Sequence, residues 1–192
     1  MIQTNFKKQL DFLEENSNLM QKTLIDWCHI NSGSYNLAGL EMMHKVLAQS
    51  FKCLDAKIES HASSSFEVID DFGKVSMQQT GNILTIKKRW QDSENKVLLC
   101  GHMDTGFGLN SDFQTVSQMK NGNLNGPGVA DMKGGLLVML YALKAFEISP
   151  VANNIGWQVV INADEEIGSL GSRFFLENIA KEADVGLVYE PS

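Results

Sequence analysis

The stretch that most limits what this chain can become is Val97-Leu98-Leu99-Cys100, an unbroken apolar run that leads straight into Gly101-His102-Met103-Asp104. A short run without polar interruption is expected of a strand covered on both faces. Downstream, Lys133 to Phe146 is apolar nearly all round (Leu136, Leu137, Val138, Met139, Leu140, Ala142, Leu143, Phe146), which predicts a buried helix. Trp157 to Ala163 reads as another strand, Leu170 to Ile179 as a helix and Val185 to Tyr189 as a last strand. Strands alternating with helices predict an α/β fold, a three-layer sandwich around a mostly parallel or mixed central sheet.

Upstream, Phe6, Leu10 and Leu13 recur at helical spacing, and a second helix is expected with Leu19, Met20, Thr23, Leu24 and Trp27 inward. Asn31-Ser32-Gly33-Ser34 reads as a polar loop, and a third helix should bury Leu40, Met43, Leu47 and Phe51. His61-Ala62-Ser63-Ser64-Ser65 reads as a flexible connector, and strand signals begin at Phe66. Gly81 to Lys88 alternates roughly apolar and polar, and Asn121-Gly122 is a hairpin-type turn. No internal repeat or low-complexity segment appears.

Charge narrows the function classes. The chain of 192 residues carries a net charge of −7, and neutralising phosphates takes a basic face, so a nucleic-acid partner is not expected. Cys28, Cys53 and Cys100 are odd in number and widely spaced, which fits thiols in a reducing compartment. No run approaches the roughly 20 apolar residues that span a bilayer, and no apolar segment follows Lys7 and Lys8. The expectation is a soluble, cytoplasmic protein with no membrane partner.

In such a sheet, ligands bind in the crevice at the carboxyl ends of the strands. Three predicted strands end at His102-Met103-Asp104, at Asp164-Glu165-Glu166 and at Glu190, so groups remote in sequence are expected to converge. His102 and Asp104, two apart, point to the same side of the sheet. Asp131 sits among glycines that let the backbone approach something closely. Each motif alone has a plainer reading: a satisfied histidine beside a loop aspartate, a helix cap at Asp131, or a solvated acidic pair at a helix start. Taken jointly, unpaired carboxylates repel, and metal cations are the usual remedy. Carboxylates with imidazole and no thiolate suit zinc, with cobalt or manganese as substitutes. Glu165 and Glu166 are expected in the turn leaving their strand, eased by Gly168, one on metal and the other free to handle a proton. His29, His44 and His61 lack ligand-spaced neighbours and read as surface or partly packed. Phosphate-cradling glycine loops and a Gly-x-Ser-x-Gly elbow are absent.

Four blocks stand in order: Gly-His-Met-Asp-Thr (101–105), Gly-Pro-Gly-Val-Ala-Asp-Met-Lys-Gly-Gly (126–135), Asp-Glu-Glu-Ile-Gly-Ser (164–169) and Glu-Pro-Ser (190–192). On these blocks the chain resembles the zinc-dependent family that includes acetylornithine deacetylase, succinyl-diaminopimelate desuccinylase, aminoacylase and the bacterial glutamate carboxypeptidases. The resemblance implies a metal-dependent hydrolase that cuts the amide bond of an N-acyl amino acid or of a C-terminal amino acid through a metal-bridging water. It implies that Asp131, followed by a cis peptide to Met132, bridges two zinc ions. His102 and Glu190 would complete one ion, and Glu166 would bind the other. Asp104 would fix the imidazole of His102, and Glu165 would act as general base and then acid. Glutamate at position 190 is similar to the carboxypeptidase and deacylase members. Relatives add a further histidine after an inserted lid domain that also forms a homodimer. The expectation is therefore that residues 1–192 are the amino-terminal part of a catalytic domain, without the lid and the final catalytic segment, and impaired alone. The competing reading is a non-catalytic binding or scaffold relative that keeps the fold.

Overall fold

The computed structural model describes residues 6–191. Ser192, the last residue of the fourth block, lies outside the described residues. Helix α1 (Lys7–Cys28) is a single helix where the spacing predicts two. The polar stretch Glu14 to Asn18 contains no proline or glycine to break the ladder, and Asn16 Nδ2 donates to the carbonyl of Phe12 at 2.7 Å. Helix α2 (Leu37–Phe51) starts where the Asn36 side chain accepts a hydrogen bond from the Gly39 N–H (3.1 Å), and it buries the expected stripe of Leu40, Met43, Leu47 and Phe51.

Strand β1 (Lys57–His61) begins ahead of the first strand signal in the sequence. Its charged residues suit an edge strand: Glu59 pairs with Lys57 (2.9 Å) and, across the sheet, with Lys87 (2.8 Å). His61 is thus a strand end rather than part of a flexible connector, with Nε2 2.9 Å from Thr85 Oγ1 and its ring 4.7 Å from that of Phe175. Strands β2 (Phe66–Ile69) and β3 (Val75–Gln78) form a separate antiparallel hairpin. Strands β4 (Ile83–Lys88) and β5 (Lys96–His102) precede a small hairpin, β6 (Ser117–Gln118) and β7 (Leu124–Asn125), which turns through Asn121-Gly122. The rest follows the predicted order: helix α3 (Lys133–Glu147), strand β8 (Gly156–Asn162), helix α4 (Arg173–Ala180) and strand β9 (Val185–Val188).

The main sheet runs β1-β4-β8-β5-β9, antiparallel at its first two pairings and parallel at its last two. It is the expected mixed sheet, and helices cover both faces. Leu99, Val159 and Ile161 join residues of α1, α2 and α3 in the larger core, whereas Leu98 and Val160 face the other way, against Phe175, Leu176 and Ile179 of α4. That split is the strand period of two. Every residue of β8 is buried.

One ion cluster ties α3 to the sheet. Glu147 accepts from Arg89 Nη1 (3.0 Å) and Trp157 Nε1 (2.8 Å), and Lys88 Nζ lies 3.0 Å away. Burial alone would raise this carboxyl, but the donors win and hold it at about 2, below its ordinary 4.5. A depressed folded value means stability present above about 4.5 and lost as pH falls toward about 2. Urea unfolding from pH 6 down to 2 should therefore show the wild type losing up to about 3 kcal/mol more than Glu147→Gln. Parallel curves for the two proteins would show that the cluster contributes nothing.

Candidate metal centre

The parallel registers of β8, β5 and β9 determine where the chemistry meets. His102 stands opposite Asn162 on β8, and Cys100 opposite Val188 on β9. Two residues past Val188, Glu190 comes level with His102. The ladder continues that far, because the Tyr189 N–H donates to the Cys100 carbonyl at 3.1 Å. Asp131 arrives from the loop ahead of α3, the crossover helix that follows β5. The Asp131–Met132 peptide is cis. Met132 is fully buried, and its sulfur accepts a hydrogen bond from the His102 N–H (3.1 Å). The strand allows this approach because residue 101 is glycine: a Cβ there would lie 2.6 Å from the Met132 methyl.

His102 is fully buried. Its Nδ1 faces only acceptors, the Asp104 carbonyl at 3.0 Å and Asp104 Oδ1 at 3.2 Å, so Nδ1 carries the proton. The other nitrogen, Nε2, faces carboxylate oxygens of Asp131 (3.1 Å), Glu190 (3.6 Å) and Glu165 (3.7 Å). A neutral imidazole would aim its lone pair at acidic oxygens, an arrangement that asks for a cation among them. Without an ion, a second proton on the imidazole answers the same surplus of negative charge. Burial pulls the imidazole down, but the hydrogen bond and charge of Asp104, with Glu190 and Glu165, lift it to about 9. Burial pushes the Glu190 carboxyl up, aided by Glu165 and Asp131 and opposed by His102.

The donor set fits zinc. Ligand atoms of His102, Asp131 and Glu190 all lie within 4.8 Å of one another. Ligand atoms about 2.0–2.2 Å from a tetrahedral zinc are ~3.5 Å apart, a spacing His102 Nε2 already has to Asp131 (3.1 Å) and Glu190 (3.6 Å), so the half-exposed side chains of Asp131 and Glu190 would draw together around the ion.

Glu165 and Glu166 lie in a 3₁₀ turn directly after β8, and Gly168 takes the left-handed conformation (φ 89°) that closes it. Asp104 organises this turn. Its Oδ1 accepts from the Glu165 N–H (3.2 Å), and its Oδ2 accepts from the Glu166 N–H (3.2 Å) and from Ser34 Oγ (2.8 Å). Sequence reasoning assigned Asp104 only to the imidazole and missed Ser34 altogether. No local pattern connects residues 70 positions apart. Glu166 stands outside the three-ligand group. Burial raises its carboxyl, the Gly106 N–H bonds to it and lowers it, and Asp131 and Asp104 raise it further. It lines a cavity of about 310 Å³ with Ser34, Tyr35, Thr105 and Leu109. Asp164 is not in the cluster either. It is buried and accepts from the N–H groups of Gly171 (2.7 Å) and Ser172 (3.0 Å), from Ser172 Oγ (2.6 Å) and from Asn162 Nδ2 (3.1 Å), which pins the loop leading into α4. None of His29, His44 and His61 joins the His102 group.

Residues 98–192 match the model of peptidase family M20/M25/M40. Carboxypeptidase G2 of Pseudomonas sp. (strain RS-16) is 30% identical over 172 residues, covering 89% of this chain and 38% of that protein. Acetylornithine deacetylase of Proteus mirabilis (strain HI4320) is 35% identical over 101 residues, 50% of this chain and 25% of that protein. Among solved structures, human carnosine dipeptidase 1 superposes with a TM-score of 0.75 at 19% identity, over 96% of this chain and 41% of that one. An M20 family metallo-carboxypeptidase, Sso-CP2 from Sulfolobus solfataricus, gives 0.64 at 17% identity, over 88% of this chain and 37% of that one. The chain thus spans less than half the length of each of these relatives, and at such identities the structural likeness concerns the fold.

Proposed function

Residues 98–192 belong to peptidase family M20/M25/M40, and from that premise we propose that this chain carries the metal-binding and proton-transfer residues of an amide-bond hydrolase. The bond cut joins an amino acid to an acyl group or to the preceding residue of a peptide, the kind of linkage named in carboxypeptidase and deacetylase relatives. The observation that carries this reading is the convergence of His102 Nε2 with the carboxylates of Asp131 and Glu190.

In this reading His102, Asp131 and Glu190 would hold one zinc ion, and Glu166 with Asp131 would take a second. Cobalt or manganese would substitute. Bound zinc would supply the Lewis acid that polarises the scissile carbonyl and brings the pKa of water from about 15.7 toward 7. The protein does the remainder. Asp104 holds the Nδ1–H of His102, so that Nε2 presents its lone pair. The same carboxylate grips the Glu165 N–H and sets Glu165 Oε2 3.7 Å from Nε2. Glu165 takes a proton from the attacking water onto a carboxylate oxygen and returns it to the leaving nitrogen.

Hydrolysis of N-acylglutamates and of peptides ending in glutamate by the intact protein that carries these residues, followed with zinc and then with a chelator, tests this. Turnover that the chelator abolishes and zinc restores is the expected result. Stoichiometric zinc with no cleavage of any member of either series would sink the hydrolase reading.

A further inference from the structure

Lys133, the first residue of α3, is only 1% exposed. Its Nζ donates to two main-chain carbonyls at the carboxyl end of α1, those of Ile30 (2.7 Å) and Trp27 (3.2 Å). Taking an ammonium out of water is costly, and burial lowers this one to about 8. A methionine would fill similar space without that cost. What the ammonium adds is a bond to orphan carbonyls at a helix end, where the dipole also favours a cation.

The anchor lies next to the metal centre. Asp131, two residues earlier, places its carboxylate 3.1 Å from His102 Nε2, yet its side chain is about half exposed (53%) and so is steered mainly by its backbone. That backbone is held at two points. Met132 is tied to β5 through its sulfur and the His102 N–H, and Lys133 is tied to α1. The loop also wraps the lysine stem. Gly128 adopts φ +75°, and a Cβ there would lie 2.9 Å from Lys133 Cδ.

We propose that Lys133 is a positioning residue for the metal centre: it fastens the loop that ends at Asp131 to the end of α1, and so keeps the Asp131 carboxylate at the separation from His102 that a single cation bridges. This rests on the metal reading of Asp131 given above. The role is mechanical, and the lysine touches neither substrate nor metal.

The 192-residue chain, its Lys133→Met and Gly128→Ala variants, and a core variant in the same helix, Leu143→Ala, are titrated with Co²⁺ and, by competition, with Zn²⁺, well below their unfolding temperatures. Lys133→Met keeps the stem and removes the anchor. Gly128→Ala keeps the charge but both displaces the stem and strains a backbone at φ +75°, so unchanged ion binding in it counts against the proposal even if Lys133→Met fails to fold. Leu143→Ala lowers stability without touching the loop. Both loop variants should bind each ion at least about tenfold more weakly, the scale seen when a group supporting a ligand is lost. Their Co²⁺ visible bands should also change, whereas Leu143→Ala should keep the wild-type band and affinity. If the loop variants match the wild type, or if Leu143→Ala weakens binding equally, Lys133 is a stability residue only and the proposal fails. A wild-type chain that binds neither ion overturns the metal reading, and this one with it.

Discussion

Glu165→Gln is expected to cut kcat about 100- to 10,000-fold while leaving zinc affinity within a factor of about three, because a positioned general base contributes on that scale. The substitution is nearly isosteric. It also preserves the turn, since Asp104 grips the main-chain N–H of residue 165 and not its side chain. Glutamine therefore sits where glutamate did, without a basic oxygen to take the proton. Steady-state kinetics of the intact protein that carries these residues on an acyl-glutamate, with zinc content measured on the same preparation, separates the terms. A large fall in kcat at unchanged KM and full zinc marks loss of proton transfer. Retention of more than a tenth of wild-type kcat would remove Glu165 from that role and turn attention to Glu166, the neighbouring acid in the same turn.

Asp131→Ala should have a comparable effect on binding. Its carboxylate is the acid nearest His102 Nε2, at 3.1 Å, and in this reading a direct ligand. Losing a group that merely supports a ligand costs about 10–100-fold in metal affinity, and removing the ligand itself should exceed that. Folding should be little affected, because the Asp131 side chain is about half exposed and its removal relieves crowding among acids. The expected pair of results is zinc affinity down by more than about 100-fold and a urea midpoint unchanged or slightly raised. Asp104→Asn is the instructive contrast. That carboxylate is buried and serves His102, Ser34 and two N–H groups at once, so its loss should cost both metal affinity and stability. If Asp131→Ala binds zinc as tightly as the wild type, the ion sits elsewhere.

Much of the centre was legible because its residues lie at strand ends that local pattern marks out. Val97 to Cys100 announces a buried strand, so His102 and Asp104 fall at its carboxyl end, and the apolar run into Tyr189 does the same for Glu190. The Glu165-Glu166 turn follows from two adjacent acids that cannot face one way in a strand, with Gly168 beside them. Where the reading missed, the cause was non-local. The polar stretch Glu14 to Asn18 looked like a break, but without proline or glycine nothing interrupts α1. Strand β1 has too few apolar residues to announce itself, and it exists because β4 offers an edge on which Glu59 finds Lys87. Asp164 looked like a member of the acidic cluster, yet its partners at Gly171 and Ser172 turn it away.

By itself, then, the sequence determined the order of strands and helices from β4 onward, the sheet edge where ligands would gather, and the residue types able to hold a cation there. These follow from periodicity and side-chain chemistry, which act over a few neighbouring residues. Tertiary structure alone decided that Asp104 serves the imidazole, Ser34 and the acidic turn together, that Glu166 stands apart from the His102 group, and that Lys133 reaches the end of α1. Each depends on distances between segments far apart in the chain, set by sheet register and helix packing.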